Sequence, residues 1–137
     1  MILLFILTAG CKKENEFEKE IFIRLHNHTL NRIDSVQLFS WGTSIDPVVF
    51  YEIDSLTITE FQREDHVFYK NSLVVFLKDT SINEYWEMPY NGTATQPAEE
   101  YWPFGYYTIG IYQLDSTLGS VSIALDGYEK SFYELYK

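Results

Sequence analysis

Two histidines, His26 and His28, stand two residues apart. On a β-strand that spacing turns both imidazoles to one face and suits metal ligation. Two donors do not complete a site, and the third histidine, His66, lies far along the chain. Ordinary hydrogen bonding at a strand end accounts for such a pair equally well, so the sequence assigns neither a metal nor a cofactor. Catalytic signatures are equally sparse. No Gly-x-Ser-x-Gly elbow, phosphate-cradling glycine loop or His-Glu-x-x-His helix occurs. Glycoside hydrolysis needs two carboxylates facing across a cleft. Twenty acidic residues guarantee candidate pairs without selecting one. The reading is therefore non-enzymatic, with a small hydrolase the least supported alternative.

Residues 85–104 form the most unusual stretch. Tyr85, Trp86, Tyr90, Tyr101, Trp102 and Phe104 are interleaved with Glu84, Glu87, Glu99 and Glu100. Aromatic faces stack on the C–H faces of sugar rings while carboxylates accept hydrogen bonds from hydroxyls, so this segment is the candidate for glycan binding. The competing reading packs the same rings into the core with each polar tip reaching water. Three further motifs, Asp34-Ser35-Val36, Asp54-Ser55-Leu56 and Asp115-Ser116-Thr117, outnumber what composition alone would supply. They resemble the Asp-Ser/Thr-apolar acceptor of envelope O-glycosylation in some Gram-negative bacteria, which would make Ser35, Ser55 and Ser116 the modified residues. Asp-Ser is also common turn chemistry.

The elements that must position these residues are strands. The 137 residues are 46% hydrophobic and 18% aromatic, which excludes disorder and favours a pleated, half-buried surface. Ile21, Ile23 and Leu25 alternate with Phe22, Arg24 and His26, and Val36, Leu38 and Ser40 alternate with Gln37, Phe39 and Trp41. Turn residues separate further strands at 48–52, 56–61, 72–77, 82–88, 106–114 and 121–125. The run at 72–77 suits a central strand, 106–125 a hairpin, and 128–136 either a short helix or a closing strand. Seven or eight strands with short turns predict an all-β fold, a single antiparallel β-sandwich of immunoglobulin-like or transthyretin-like topology. A net charge of −10 argues against nucleic acid and against docking on anionic lipid.

The single cysteine cannot form an internal disulfide. An unbroken apolar run at 2–7 leads to Thr8, Ala9, Gly10 and Cys11, with small residues where a signal peptidase cuts. Leu7-Thr8-Ala9-Gly10-Cys11 resembles the lipobox of bacterial lipoproteins, with Thr8 where that family most often has Leu. The apolar run is too short for a membrane span, and the missing basic n-region predicts a start codon further upstream. The resemblance implies a signal peptide at 1–10, a lipidated Cys11, a charged tether to residue 20 and the sandwich domain at 21–137. Lys12, where inner-membrane lipoproteins carry Asp, implies the outer membrane, and the charged stretch after it resembles surface-export signals. Two or more acyl chains anchor stably where one is marginal.

Ile23-Arg24-Leu25-His26-Asn27 and Gly105-Tyr106-Tyr107-Thr108 resemble strands of small β-sandwich envelope lipoproteins, a resemblance that implies no activity. Asn27-His28-Thr29 and Asn91-Gly92-Thr93 match the N-glycan sequon, a pathway most bacteria lack. The expected function is a lipid-anchored interaction or structural domain of the envelope with a protein or other envelope partner. Its alternative is a carbohydrate-binding module.

Overall fold

A computed structural model describes residues 20–40, 46–64, 67, 70–87, 102 and 104–129. Every regular element among them is a strand: β1 (Ile21–Asn27), β2 (Ile33–Ser40), β3 (Val48–Ile53), β4 (Gln62–Glu64), β5 (Lys70–Leu77), β6 (Thr80–Glu87), β7 (Gly105–Asp115) and β8 (Ser120–Glu129). They form two four-stranded sheets, in the orders β4-β1-β7-β8 and β3-β2-β5-β6. The signal-peptide, Cys11 and tether expectations lie outside the described residues, as do Tyr90, Tyr101, His66 and the region beyond residue 129.

Period-two patterning builds the interior. Ile21, Ile23 and Leu25 of β1 are buried while Phe22, Arg24 and His26 are half-exposed. The inward faces of both sheets meet in one cluster, with Ile23, Leu25, Ile109 and Ile111 from the first sheet and Val36, Leu38, Leu73 and Val75 from the second. Burying each such aliphatic side chain contributes roughly 1.5–3 kcal/mol before the cost of ordering. Chain connectivity closes the layers, and the Gln62 side-chain amide of β4 donates to the Val49 carbonyl of β3, joining one edge of each sheet. Gly105 opens β7 with φ of 146°, and a Cβ there would lie 2.6 Å from the Tyr128 ring.

Two expectations are corrected. The sheets are not wholly antiparallel: β1 runs parallel to β7, from Ile21 opposite Gly105 to Asn27 opposite Ile111. A parallel pair needs a long crossover. Here the whole second sheet lies in the intervening chain, so no local signal announces it. The expected strand at 56–61 is instead an irregular segment with one isolated bridge, His26 to Ile58, and strand structure resumes only at β4. Leu56 takes a left-handed φ of 57°, which breaks strand geometry. The Thr59 hydroxyl then substitutes for a ladder carbonyl by accepting from the Leu25 amide at 3.0 Å.

Asn27 ends β1 and is fully buried. Its amide nitrogen donates to the carbonyls of Asn31 (2.8 Å) and Asp54 (3.0 Å), and its oxygen accepts from the Thr29 amide (3.0 Å) and hydroxyl (2.7 Å). One side chain thus ties the β1–β2 turn to the turn after β3. A sequon asparagine held this way presents no free amide to a glycan. Asn27→Ala removes four hydrogen bonds at once and takes away the side-chain acceptor of the buried Thr29 amide, which should cost about 2–4 kcal/mol. Urea unfolding of the wild type and variant measures it, and a loss below about 1 kcal/mol would show that the turns hold without this hub.

Candidate functional site on the outer face of the first sheet

Parallel register aligns the outward side chains of β1 and β7 as well as the inward ones. Phe22 lies opposite Tyr106, Arg24 opposite Thr108, and His26 opposite Gly110. At the end where β1 begins, Phe22 stacks on Tyr106 with centroids 4.6 Å apart, and Phe61 meets Tyr106 edge-on. The Arg24 guanidinium sits 4.5 Å over the Phe61 ring while its Nε donates to the Thr108 hydroxyl at 3.0 Å. This patch is a self-satisfied cap on the sheet. Burial raises the Tyr106 phenol above its ordinary pKa, and the nearby Glu20 adds to the rise.

At the other end of the same face, His26 of β1, Tyr112 of β7 and Asp126 of β8 converge with His28, which lies just past the end of β1. The rings of His26 and His28 lie 3.6 Å apart, and His28 stacks on Tyr112 at 4.2 Å. Asp126 reaches them from β8. Its Oδ2 is 2.7 Å from His28 Nε2 and 3.6 Å from His26 Nδ1, and its Oδ1 accepts from the Tyr112 hydroxyl. The carboxylate side chain is 14% exposed and the two imidazoles 27% and 29%, so the cluster is half sunk in the sheet yet open to small solutes.

Backbone irregularities make this reach possible. Thr108 pairs with Gly127 and Ile109 with Leu125, so Asp126 is the extra residue of a β-bulge, a device that re-aims a side chain. To arrive at β1 the carboxylate must cross β7, and it does so over Gly110. A Cβ on Gly110 would lie 2.4–2.6 Å from the Asp126 carboxylate atoms, so a side chain at residue 110 and this placement of Asp126 exclude each other.

The electrostatics follow from the crowding. His26 is held below its ordinary pKa of 6.5, first by burial and then by the neighbouring His28 and by Arg24, with Asp126 opposing. Tyr112 is raised above 10.0, chiefly because its hydroxyl donates to Asp126. The cluster therefore presents neutral His26 and a protonated phenol near pH 7. Sequence reading singled out the histidine pair; the third donor was missed, because nothing in the residues around 126 marks it as a partner of a strand about a hundred residues earlier.

The remaining candidates are distributed differently. Trp86 and Trp102 are buried, 8% and 2% exposed, and pack edge-to-face at 5.5 Å within the core. Rings so enclosed offer no free face to a sugar. Tyr85 and Phe104 are exposed. Ser35 is half-buried on β2, whereas Ser55 and Ser116 lie in exposed turns. At the latter turn Asp115 Oδ1 accepts from the amides of Thr117 and Leu118, which is turn chemistry. No protein-family model matches the chain, and no curated protein or solved structure is significantly similar to it.

Gly110→Ala should expel the Asp126 carboxylate and destabilise the fold by about 1–3 kcal/mol. Histidine ring shifts in NMR spectra would report the lost contact, and an unchanged His28 signal would refute the crossing geometry. Across pH, His26 should titrate below 6.5 and move upward in His28→Gln. As pH falls through 6.5 the unfolded chain protonates this residue before the folded one does, so its stabilising contribution is full above 6.5 and declines below it.

Proposed function

We propose that this chain is a lipid-anchored, non-enzymatic interaction domain of the bacterial envelope, attached to the outer membrane through Cys11 and presenting its far end to a protein partner. One observation carries the reading: the chain enters the domain at one end of the sheets and displays its exposed leucines at the other. Ile21 pairs with Gly105 and Glu64 at the near end. The β1–β2 turn, the turn after β3 and the β7–β8 turn all lie at the far end, with Leu30, Leu56 and Leu118 at 83%, 61% and 79% exposure. The seven residues of β1, at about 3.3 Å each, separate the ends by roughly 20 Å. Three leucines this open at one end of the sheets supply apolar area that a protein interface would draw on.

Topology bears on the kind of sandwich. In an immunoglobulin fold the first two strands share a sheet, whereas here β1 and β2 belong to different sheets. Of the two expected forms, this order favours the transthyretin-like one. The glycan-binding alternative loses support because its two tryptophans are core.

The test uses the full chain expressed in a Gram-negative host fed an alkyne fatty acid. Acyl label and outer-membrane fractionation should both vanish in Cys11→Ser. A photo-crosslinking residue placed at 118 should trap a discrete protein, whereas one at 70, on exposed Lys70 near the anchored end, should not. An unlabelled wild type would remove the anchor, and identical crosslinks from both positions would remove the far-end surface.

A further inference from the structure

We propose that His26 Nδ1, His28 Nε2 and Asp126 Oδ2 form a three-ligand site for a divalent transition metal, with zinc the best match and the fourth position open to solvent.

The donor set fits. Imidazole nitrogens and a carboxylate oxygen are zinc ligands at about 2.0–2.2 Å, which in a tetrahedron puts donor atoms roughly 3.3 Å apart. The three donor atoms lie within 4.8 Å of one another, at 2.7 Å and 3.6 Å for the two histidine–carboxylate pairs. Relative to that spacing the His28–Asp126 pair is roughly 0.6 Å too close and the His26–Asp126 pair roughly 0.3 Å too far, differences within the reach of side-chain rotation.

Three independent features support metal holding over a simple hydrogen-bonded cluster. Both imidazoles turn toward the same carboxylate oxygen, which sets three ligand atoms around one point. Two imidazoles with centroids 3.6 Å apart and planes tilted by 33° repel when protonated and cooperate when both donate lone pairs to a cation. The other oxygen of Asp126 is held by the Tyr112 hydroxyl. That is the outer-shell bond by which ligating carboxylates are oriented, and the Tyr112 ring fixes the His28 plane.

Gly110 and the bulge at Asp126 supply the means of assembly. A Cβ on Gly110 would meet the Asp126 carboxylate first, and the bulge sets that carboxylate over the glycine. With three protein ligands on an exposed sheet, the open position suits water or a side chain of a partner protein. The site lies beside the far-end turns, since the His28 amide bonds the Ile111 carbonyl just past the end of β1. It does not depend on the anchoring proposal.

The experiment uses the full chain carrying Cys11→Ser, which removes the one thiol that would bind zinc on its own. Titration with Zn2+ against a competing chelator should give one equivalent bound per chain, with a rise in melting temperature that His26→Gln, His28→Gln and Asp126→Asn each abolish. Co2+ in place of zinc should give visible bands of four- or five-coordinate intensity. Tyr112→Phe keeps the stacked ring and removes only the hydroxyl, so it should fold normally and weaken zinc binding by about tenfold or more. Affinity should fall as pH is lowered, because protons compete for the ligands. Absence of saturable binding by the folded chain would overturn the proposal. So would one-equivalent binding that survives in a folded His26→Gln/His28→Gln variant, which would place the ion elsewhere.

Discussion

The in-register parallel pairing of β1 with β7 is the constraint on which the core and the outer cluster both depend. It aligns two alternating patterns, so that Ile23 beside Tyr107 and Leu25 beside Ile109 face inward while Arg24 beside Thr108 and His26 beside Gly110 face outward. Strand periodicity is two, and a slip of one residue would exchange the faces completely. Such a slip would place an arginine and a histidine between the sheets and two aliphatics in water. The penalty for burying an unpaired charge far exceeds what the hydrogen-bond ladder distinguishes between registers. Hydrophobic burial therefore selects the register, and the register then carries His26 to Gly110. The outer cluster is thus held in place by the inner face of the same strands.

How much of this was legible from residues alone depends on the range of each interaction. Alternation within β1, β2 and the β7–β8 hairpin is local, and the strands appear where the pattern puts them. The parallel partner of β1 lies 84 residues away at the Arg24–Thr108 contact, and the His28–Asp126 contact spans 98. No periodicity reaches that far. The segment after β3 misleads for another reason. Its composition is strand-like, but Leu56 is left-handed and the pairing to β1 combines two backbone bonds of Thr57 and Thr59 with one to the Thr59 hydroxyl, neither of which leaves a trace in hydropathy.

The aromatic segment illustrates a different limit. Trp86 and Trp102 have the same chemistry whether they stack on a sugar or on each other, and only burial separates the two. Trp86 is placed inward by β6, where the buried Ile82 and the exposed Tyr85 already mark the two faces. Trp102 is fixed by its amide donating to the Val67 carbonyl at 2.7 Å and by the Tyr107 ring at 4.9 Å. Once both are core, the polar chemistry left on the described surface concentrates on the outer face of the first sheet, a face the histidine spacing alone had indicated.

Departures from local preference point the same way. Glycine within a strand is worth roughly 1 kcal/mol less than alanine there, and a left-handed non-glycine residue costs about 1–2 kcal/mol. Gly110 pays the first penalty in an interior strand, and Glu52 and Leu56 incur the second at φ of 51° and 57°. If core packing alone had shaped the chain, these positions would carry residues that suit their elements. Gly110 instead serves the crossing of Asp126, and left-handed Leu56 stands exposed on a far-end turn. Local and global preferences agree through the interior and conflict at the outer cluster and the distal turns. Such conflicts persist where a surface does something other than hold the fold together.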